Sequence, residues 1–158
     1  MAAASVTYKF SQRFRVSARE AYEWCTDYEP DDLSLMNEKG QRGIQRITND
    51  TIILRETIIK NGKGTKKVKL VKLNPAALSW YNIQISGPNK CSAFLYQIVP
   101  EAKDRSKLSF TGLLVVYDKA KLTSHRMKQI ANKEKRYDSN AWKLLGKAMT
   151  KDYDWQRS

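Results

Sequence analysis

Two glutamates stand among apolar residues in this sequence and are the side chains best suited to acid–base chemistry. Glu56 interrupts the aliphatic stretch TIILRETIIK, and Glu134 lies on an apolar stripe near the C-terminus. A carboxyl group enclosed by apolar atoms has a raised pKa unless a cation or hydroxyl partners it, and it can then act as a general acid or hold the polar end of a ligand. The other interpretation of each is an exposed acid paired with a basic neighbour, and both interpretations stay open.

Other catalytic chemistries lack the residues that they need. The chain has one histidine, His125, and two cysteines, Cys25 and Cys91, without a CxxC spacing. A zinc site needs about four nitrogen or sulfur ligands, and neither a nucleophile elbow nor a phosphate-binding loop occurs. The sequence therefore predicts no metal site and no cofactor.

The chain is strongly basic, with 29 lysines and arginines against 16 acidic residues and a formal charge of +13. Residues 119–157 hold eleven basic and four acidic side chains, a net +7. Such a field favours anionic partners. The stretch TKKVKLVKL at 65–73 contains four lysines but no aromatic residue on which a base could stack. We interpret it as mostly the solvent-exposed face of a strand, and we expect no specific nucleic-acid partner.

The N-terminal stretch predicts a strand followed by a capped helix. Val6, Tyr8 and Phe10 alternate with polar residues, which is the period of a half-buried strand. Ser17 and Glu20 then form a Ser-x-x-Glu capping box that opens the helix AREAYEWC. The stretch TDYEPDD should end that helix, and DDLSLMNE can form a short second one.

From Gly43 to Tyr117 the pattern changes to short apolar runs separated by turn residues. Asn61-Gly62 is a strong hairpin signal, and links this short require antiparallel neighbours. Gly112, inside the last run, predicts a bend or a bulge. The predicted strands cover residues 43–49, 51–59, 65–73, 78–86, 91–99 and 106–117.

The C-terminal segment predicts one long amphipathic helix of some seven turns. Thr123 or Ser124 can cap its start, and Gly146 is its weak point. Lysines occupy the side opposite the apolar stripe. The residues of that stripe are Met127, Ile130, Glu134, Tyr137, Ala141, Leu144, Leu145 and Ala148.

These elements together predict an α+β protein in which a strongly curved antiparallel sheet of about seven strands wraps around the C-terminal helix, with one or two short helices after the first strand. We expect residues 1–158 to form one domain, with a cavity between helix and sheet. The predicted cavity lining is Tyr8, Phe10, Leu54, Glu56, Trp80, Tyr96, Phe110, Ile130, Glu134, Tyr137 and Ala141.

The order of elements resembles the START-like helix-grip superfamily, also called SRPBCC, which includes polyketide cyclases and lipid-transfer domains. The resemblance rests on the opening YKFSQRFRVSAREAYEWCTDYE, the run of strands and the helix ending in AWKLLGKAM. It implies a cavity for a hydrophobic ligand, but it does not imply one reaction.

Three functions are compatible with this sequence. We expect first a non-catalytic protein that binds or carries a lipid, isoprenoid or polyketide-like aromatic molecule. The alternatives are a cyclase or dehydratase that uses cavity carboxylates (Glu56 or Glu134) and tyrosines, and a module whose basic helix meets an anionic membrane, an acidic protein or RNA. For the last, only weak contact with anionic surfaces is expected. No secretory signal or membrane-spanning run is found, so we expect a cytoplasmic protein.

Overall fold

A seven-stranded antiparallel sheet forms the frame of the molecule in the computed structural model, which describes residues 2–157. The strands lie in the spatial order β1-β7-β6-β5-β4-β3-β2, so β1 and β2 are its two free edges. Their bounds are β1 Ala2–Phe14, β2 Lys39–Thr48, β3 Thr51–Lys60, β4 Lys63–Asn74, β5 Ser79–Ser86, β6 Ala93–Ala102 and β7 Arg105–Asp118.

Three helices complete the fold. Helices α1 (Ala18–Cys25) and α2 (Asp32–Leu35) connect the two edge strands, and α3 (Ser124–Arg157) follows the sheet and packs most extensively on β1. A 3₁₀ turn at Pro75–Ala77 joins β4 to β5. The predicted α+β helix-grip architecture is confirmed. None of the helices within residues 2–157 combines the length and the apolar character needed to cross a membrane.

The local signals in the sequence have the expected structures. Ser17 Oγ accepts a hydrogen bond from the Glu20 N–H, and the Glu20 carboxylate accepts one from the Ser17 N–H, both at 3.2 Å. Asn61 and Gly62 have φ angles of 50° and 74° between the paired residues Lys60 and Lys63. Both central residues of this hairpin turn therefore lie in the left-handed region, as a two-residue loop of this kind requires.

Helix α3 is longer than predicted. Its 34 residues make about nine turns rather than seven, and the Thr123 hydroxyl caps its start by accepting from the Arg126 N–H at 3.1 Å. Gly146 does not interrupt the helix. A Cβ there would lie 3.3 Å from the ring of Phe14, so the glycine allows α3 to approach β1 closely.

Gly112 has a packing role instead of forming the predicted bulge. It pairs with Tyr8 on β1 and Phe94 on β6 without a register shift. A Cβ at Gly112 would lie 2.7 Å from Cζ of the Tyr8 ring. Of the predicted bend or bulge, the bulge does not occur. The missing side chain makes room for an aromatic ring that lies over the strand.

The core is divided into two clusters of buried side chains. The larger cluster includes Phe14, Leu54, Trp80 and Met149, and it lies under α1 and the C-terminal half of α3. The smaller cluster consists of Tyr8, Phe110, Leu114 and Ala131. Tyr96 packs against both clusters, so it lies between them on the concave face of the sheet.

Candidate functional site

A buried ion-pair network crosses strands β2, β3 and β4 on the concave face. Arg42 lies opposite Glu56 in the β2–β3 register, and the Lys69 side chain reaches Glu56 from β4. The Glu56 carboxylate accepts from Arg42 Nη2 at 2.8 Å and Nε at 2.9 Å, and from Lys69 Nζ at 2.9 Å. Arg42 also bonds Asp32 at 3.1 Å. One acid of the concave face thus has two cationic partners.

The two cations determine the protonation state of Glu56. Burial raises the pKa of this carboxyl, but the charges of Lys69 and Arg42 together outweigh burial and lower the pKa to about 2. Glu56 is buried on the inner face of the sheet, so the interpretation as an exposed acid does not apply. It is ionised near neutral pH and has no proton to donate there, which argues for a structural role over a general acid.

Two of the lysines in TKKVKLVKL point inward, contrary to the interpretation of this stretch as mostly a solvent-exposed face. Lys69 bonds the buried Glu56, and Lys67, two residue pairs nearer the hairpin tip, lies opposite Glu56 in the β3–β4 register. Burial, followed by the charge of Lys69, lowers the pKa of Lys67. The interpretation fails for these two residues because the hairpin tip approaches α3, where the Lys60 ammonium lies 4.6 Å from the centre of the Tyr137 ring.

A tyrosine–aspartate pair connects the edge strand to α3. The Tyr8 hydroxyl donates to the Asp138 carboxylate at 2.5 Å. Burial raises the pKa of Asp138 to about 6, and burial followed by the charge of Asp138 raises the pKa of Tyr8 above its ordinary range. Sequence reasoning missed Asp138. Its signal is the position one helical turn after Glu134, which places two acids on the same side of α3.

Two amide side chains on β5 are buried on the concave face. Asn82 and Gln84 are 5% and 2% exposed. Asn82 Nδ2 donates to the Tyr96 hydroxyl at 3.3 Å, while Asn82 Oδ1 and Gln84 Nε2 have no hydrogen-bond partner among residues 2–157. Buried polar atoms without partners are uncommon in folded proteins. Sequence reasoning missed both residues, although two amides at i and i+2 inside the apolar run WYNIQIS were a signal.

The residues predicted to line one cavity are divided between the two core clusters and the surface of α3. Tyr8, Phe10, Phe110 and Ile130 belong to or pack on the smaller cluster, with the rings of Phe10 and Phe110 stacked at 4.5 Å. Leu54 and Trp80 are buried in the larger one, and Trp80 stacks on Tyr96 at 4.7 Å. Glu134 and Ala141 are half-buried on α3, and Tyr137 is 44% exposed.

A cavity of about 560 Å³ lies between the free edge of β1 and α3. Val6, Tyr8, Met127 and Ala131 line it, and all four belong to or border the buried parts of the molecule. A volume in the range 300–1,000 Å³ is typical of small-molecule sites. The remaining lining residues are Ala4, Ser5, Thr7, Lys9, Leu122, Ser124, Lys128, Asn132 and Lys135.

Two further predictions concern the basic face of α3 and metal-binding residues. The outward lysines of α3 are exposed, and they are Lys128, Lys135, Lys143, Lys147 and Lys151. Their contact with an anionic surface stays a prediction. Across residues 2–157 no group of three or more His, Cys, Asp or Glu side chains is arranged to hold a metal ion.

Comparison with known proteins identifies the fold. No protein-family model and no curated protein matches the chain. Among solved structures, an aromatase/cyclase from Streptomyces sp. R1128 is 16% identical with a TM-score of 0.72, covering 92% of this chain and 94% of its own. A START superfamily protein from Mycobacterium smegmatis is 16% identical with a TM-score of 0.68, covering 86% and 93%.

A third similar structure is norcoclaurine synthase from Thalictrum flavum in complex with dopamine and hydroxybenzaldehyde. It is 12% identical with a TM-score of 0.68, and the alignment covers 94% of this chain and 88% of the synthase. Identities this low establish the shape of the chain and not its activity. The curved sheet, the two connecting helices and the long α3 of residues 2–157 therefore form a START-like helix-grip fold.

Proposed function

We propose that this protein binds one hydrophobic or aromatic small molecule between the concave face of the sheet and α3. The observation that carries the proposal is the cavity of about 560 Å³ that reaches Tyr8. Its lining combines the apolar side chains of Val6, Met127 and Ala131 with polar groups that include the Tyr8 hydroxyl. The charge of Asp138 acts on both Tyr8 and Tyr96. An apolar wall with a few polar groups is the usual composition of a ligand site.

The polar end of the ligand follows from the atoms that lack partners. Asn82 and Gln84 lie on β5 beyond the residues that line this cavity, and within residues 2–157 they offer an unpaired acceptor and an unpaired donor. A ligand that extends from the cavity past Tyr8 to β5, and that carries both a hydroxyl and a carbonyl oxygen, would satisfy them. A pure hydrocarbon would leave them buried and unpaired at a cost of about 1–3 kcal/mol each. Hydroxylated or ketonic polycyclic molecules and isoprenoid alcohols fit this chemistry better than alkanes do. The solved aromatase/cyclase and norcoclaurine synthase, which share the fold, are compatible with this choice.

A titration with the neutral fluorescent probe N-phenyl-1-naphthylamine tests the proposal, since a neutral probe avoids simple attraction to the +13 charge. We expect about one probe per chain and displacement by 1-naphthol in preference to naphthalene. Asn82→Leu should weaken the competition by 1-naphthol about tenfold, the equivalent of one hydrogen bond, and leave that by naphthalene unchanged. Tyr81→Phe, on the outer face of the same strand, is the control. Absence of saturable probe binding by the folded chain would contradict the proposal.

A second function, acid–base catalysis, is favoured by the Tyr8–Asp138 pair. Asp138 has a pKa of about 6, which suits a group that gains and loses a proton near neutral pH. The half-buried Glu134 lies one turn away and raises that pKa. We therefore propose Asp138, rather than Glu56, as the acid–base residue of a cyclase or dehydratase-type reaction in the same site.

Deuterium exchange at the carbon next to the carbonyl of 1-tetralone, followed by NMR in D₂O, tests this second function. The base removes a proton to form the enolate, and solvent returns a deuteron to the same carbon. We expect exchange above the buffer rate that falls at least tenfold in Asp138→Asn and stays unchanged in Glu101→Gln. Exchange at the buffer rate for the folded wild-type chain would contradict the catalytic proposal and leave the binding proposal unaffected.

A further inference from the structure

The outer face of the sheet carries a continuous row of apolar side chains. Ile53, Leu70, Ile83, Ala93 and Leu113 are direct neighbours in register across the five strands from β3 to β7. The outer face of a solvated antiparallel sheet is normally polar. This row therefore has no explanation in the packing of α3, which lies on the opposite face.

A second row beside it is more exposed. Ile85, on the other side of Ile83 along β5, is 51% exposed. Tyr81 and Leu95 pair across β5 and β6 and are 42% and 52% exposed. Their chain neighbours Trp80, Asn82 and Tyr96 point inward. Contiguous apolar area of this kind on a protein surface marks an interaction site more often than isolated exposed residues do.

The same face contains a concavity that could receive a side chain of a partner. A cavity of about 590 Å³ is lined by Tyr81 and Leu95 together with Gln97, Ser109 and Thr111. The apolar row through Ile83 lies beside this cavity, whose lining also includes hydroxyl and amide groups and the charged Asp50 and Lys72. This distribution resembles a protein interface, which has an apolar centre and a polar rim.

The charges at the margin indicate the partner. The row that contains Tyr81 and Leu95 ends in a lysine on each side, because Lys72 pairs with Tyr81 and Lys9 pairs with Thr111. On the other side of the row that contains Ile53 and Leu70, Arg55 pairs with Val68. In the part of the chain that the structure describes, only Lys72 among these margin cations is paired with an acid, Asp50 at 3.3 Å. Complementary charge at an interface margin selects the partner and speeds its association.

We propose that this outer face, defined by Ile53, Leu70, Ile83, Leu95 and Leu113, docks a partner protein that presents an apolar stripe flanked by carboxylates. A second copy of this chain fits poorly, since it would bring two sets of margin cations together on chains of +13 each. A lipid surface also fits poorly, because the side chains project from the middle of strands rather than from a protruding loop. The proposal is independent of the small-molecule function.

A pair of synthetic helical peptides provides the test. Both carry the same leucine stripe, flanked in one by glutamates and in the other by lysines, and binding is followed by NMR of the labelled chain in 150 mM NaCl. We expect the glutamate peptide to bind at least tenfold more tightly than the lysine peptide, with the largest shifts at Tyr81, Leu95 and Leu113. Leu95→Glu should weaken binding at least tenfold. Ile59→Glu, an exposed aliphatic residue at the hairpin tip, should not change it.

Several results would overturn the proposal. Failure of both peptides to bind the folded chain, or equal binding of both, would remove the charge argument. A dimer in light scattering that Leu95→Glu converts to a monomer would assign the face to a second copy. Binding to vesicles of phosphatidylcholine and phosphatidylglycerol that is lost in Leu95→Glu but not in Ile59→Glu would assign it to a lipid surface. Circular dichroism confirms that each variant is folded.

Discussion

The hydroxyl group of Tyr8 donates a hydrogen bond of 2.5 Å to the carboxylate of Asp138, and so connects the free edge strand β1 to the middle of α3. The two residues are 130 positions apart in the chain. Burial works against the ionised form of Asp138, as does the nearby Glu134, and the Tyr8 hydrogen bond offsets only part of this. The pair therefore holds the fold together at a site where a negative charge is unfavourable.

Asp138→Asn should stabilise the protein at pH 8. The folded-state pKa of Asp138 is raised to about 6 from 3.8, so its favourable contribution is complete below about pH 4 and is lost as pH rises through 6. An asparagine cannot ionise and can still accept from Tyr8. We expect the free energy of unfolding to rise by about 1–2 kcal/mol at pH 8, measured by urea denaturation. The same change at the exposed Asp154 should have no such effect, and a destabilised Asp138→Asn at pH 8 would contradict this account.

Glu56→Gln should destabilise the protein strongly. The substitution removes the charge that compensates Arg42 and Lys69, both largely buried in the interior. Breaking a buried ion pair in this way costs about 3–5 kcal/mol. Glu101→Gln is the control, because Glu101 pairs with an Arg13 side chain that is 81% exposed and such pairs contribute about 0–1 kcal/mol. Similar losses in the two variants would show that the network contributes little.

Acid should destabilise the wild-type chain through Glu56. Its folded-state pKa is lowered to about 2 from 4.5, so the stability that it contributes is present above about pH 4.5 and is lost as pH falls towards 2. We expect the melting temperature of the wild type to fall in this window, and that of Glu56→Gln to fall less. Parallel curves for the two proteins, recorded by circular dichroism, would assign the acid sensitivity to other carboxyl groups.

Much of the fold was predictable because its signals are local. The alternation around Tyr8, the Ser17–Glu20 box and the Asn61-Gly62 turn each depend on neighbouring residues, and each is observed as expected. The ends of most strands agree within a few residues. The architecture followed, since an antiparallel sheet with one apolar concave face needs α3 to cover it.

The inner and outer faces of β3 and β4 were not predictable for a specific reason. Periodicity assigns a strand's faces only when one face is polar, and here the outer face carries its own apolar row through Ile53 and Leu70. The inward side meanwhile contains Glu56, Lys67 and Lys69, which resemble solvent-exposed residues in a sequence. Buried positions are usually recognised in a sequence by their apolar residues. Where opposite charges pair across neighbouring strands, buried positions carry charged residues and this signal is absent.

The face of α3 that is buried also differs from the predicted stripe. The stripe through Ile130 and Tyr137 follows the apolar residues, yet Ala131 and Met149, which are outside it, are buried and Tyr137 is 44% exposed. The buried face is rotated by one residue because the small Ala131 lets α3 approach the cluster around Tyr8. Asp138 is on this rotated face, where a search for apolar residues does not find it.

Ser17→Ala should weaken the start of α1. The substitution removes the acceptor for the Glu20 N–H, and loss of an N-cap side chain costs about 1 kcal/mol. The Arg157–Glu20 contact at 2.9 Å is retained, so the C-terminal end of α3 should stay docked. Ser11→Ala, at an exposed position of β1, is the control in urea denaturation. An equal effect of the two substitutions would mean that the capping box adds nothing.

Gly112→Ala should destabilise the sheet by about 1–3 kcal/mol through a clash with one ring. The added Cβ would lie 2.7 Å from Cζ and 2.8 Å from Cε1 of Tyr8, and the ring cannot move away without breaking its hydrogen bond to Asp138. In a Tyr8→Leu background, which has already lost that ring and hydrogen bond, Gly112→Ala should cost less than half as much. The double-mutant cycle is measured by urea denaturation. Additive effects would show that Gly112 is required for its backbone freedom and not for the ring of Tyr8.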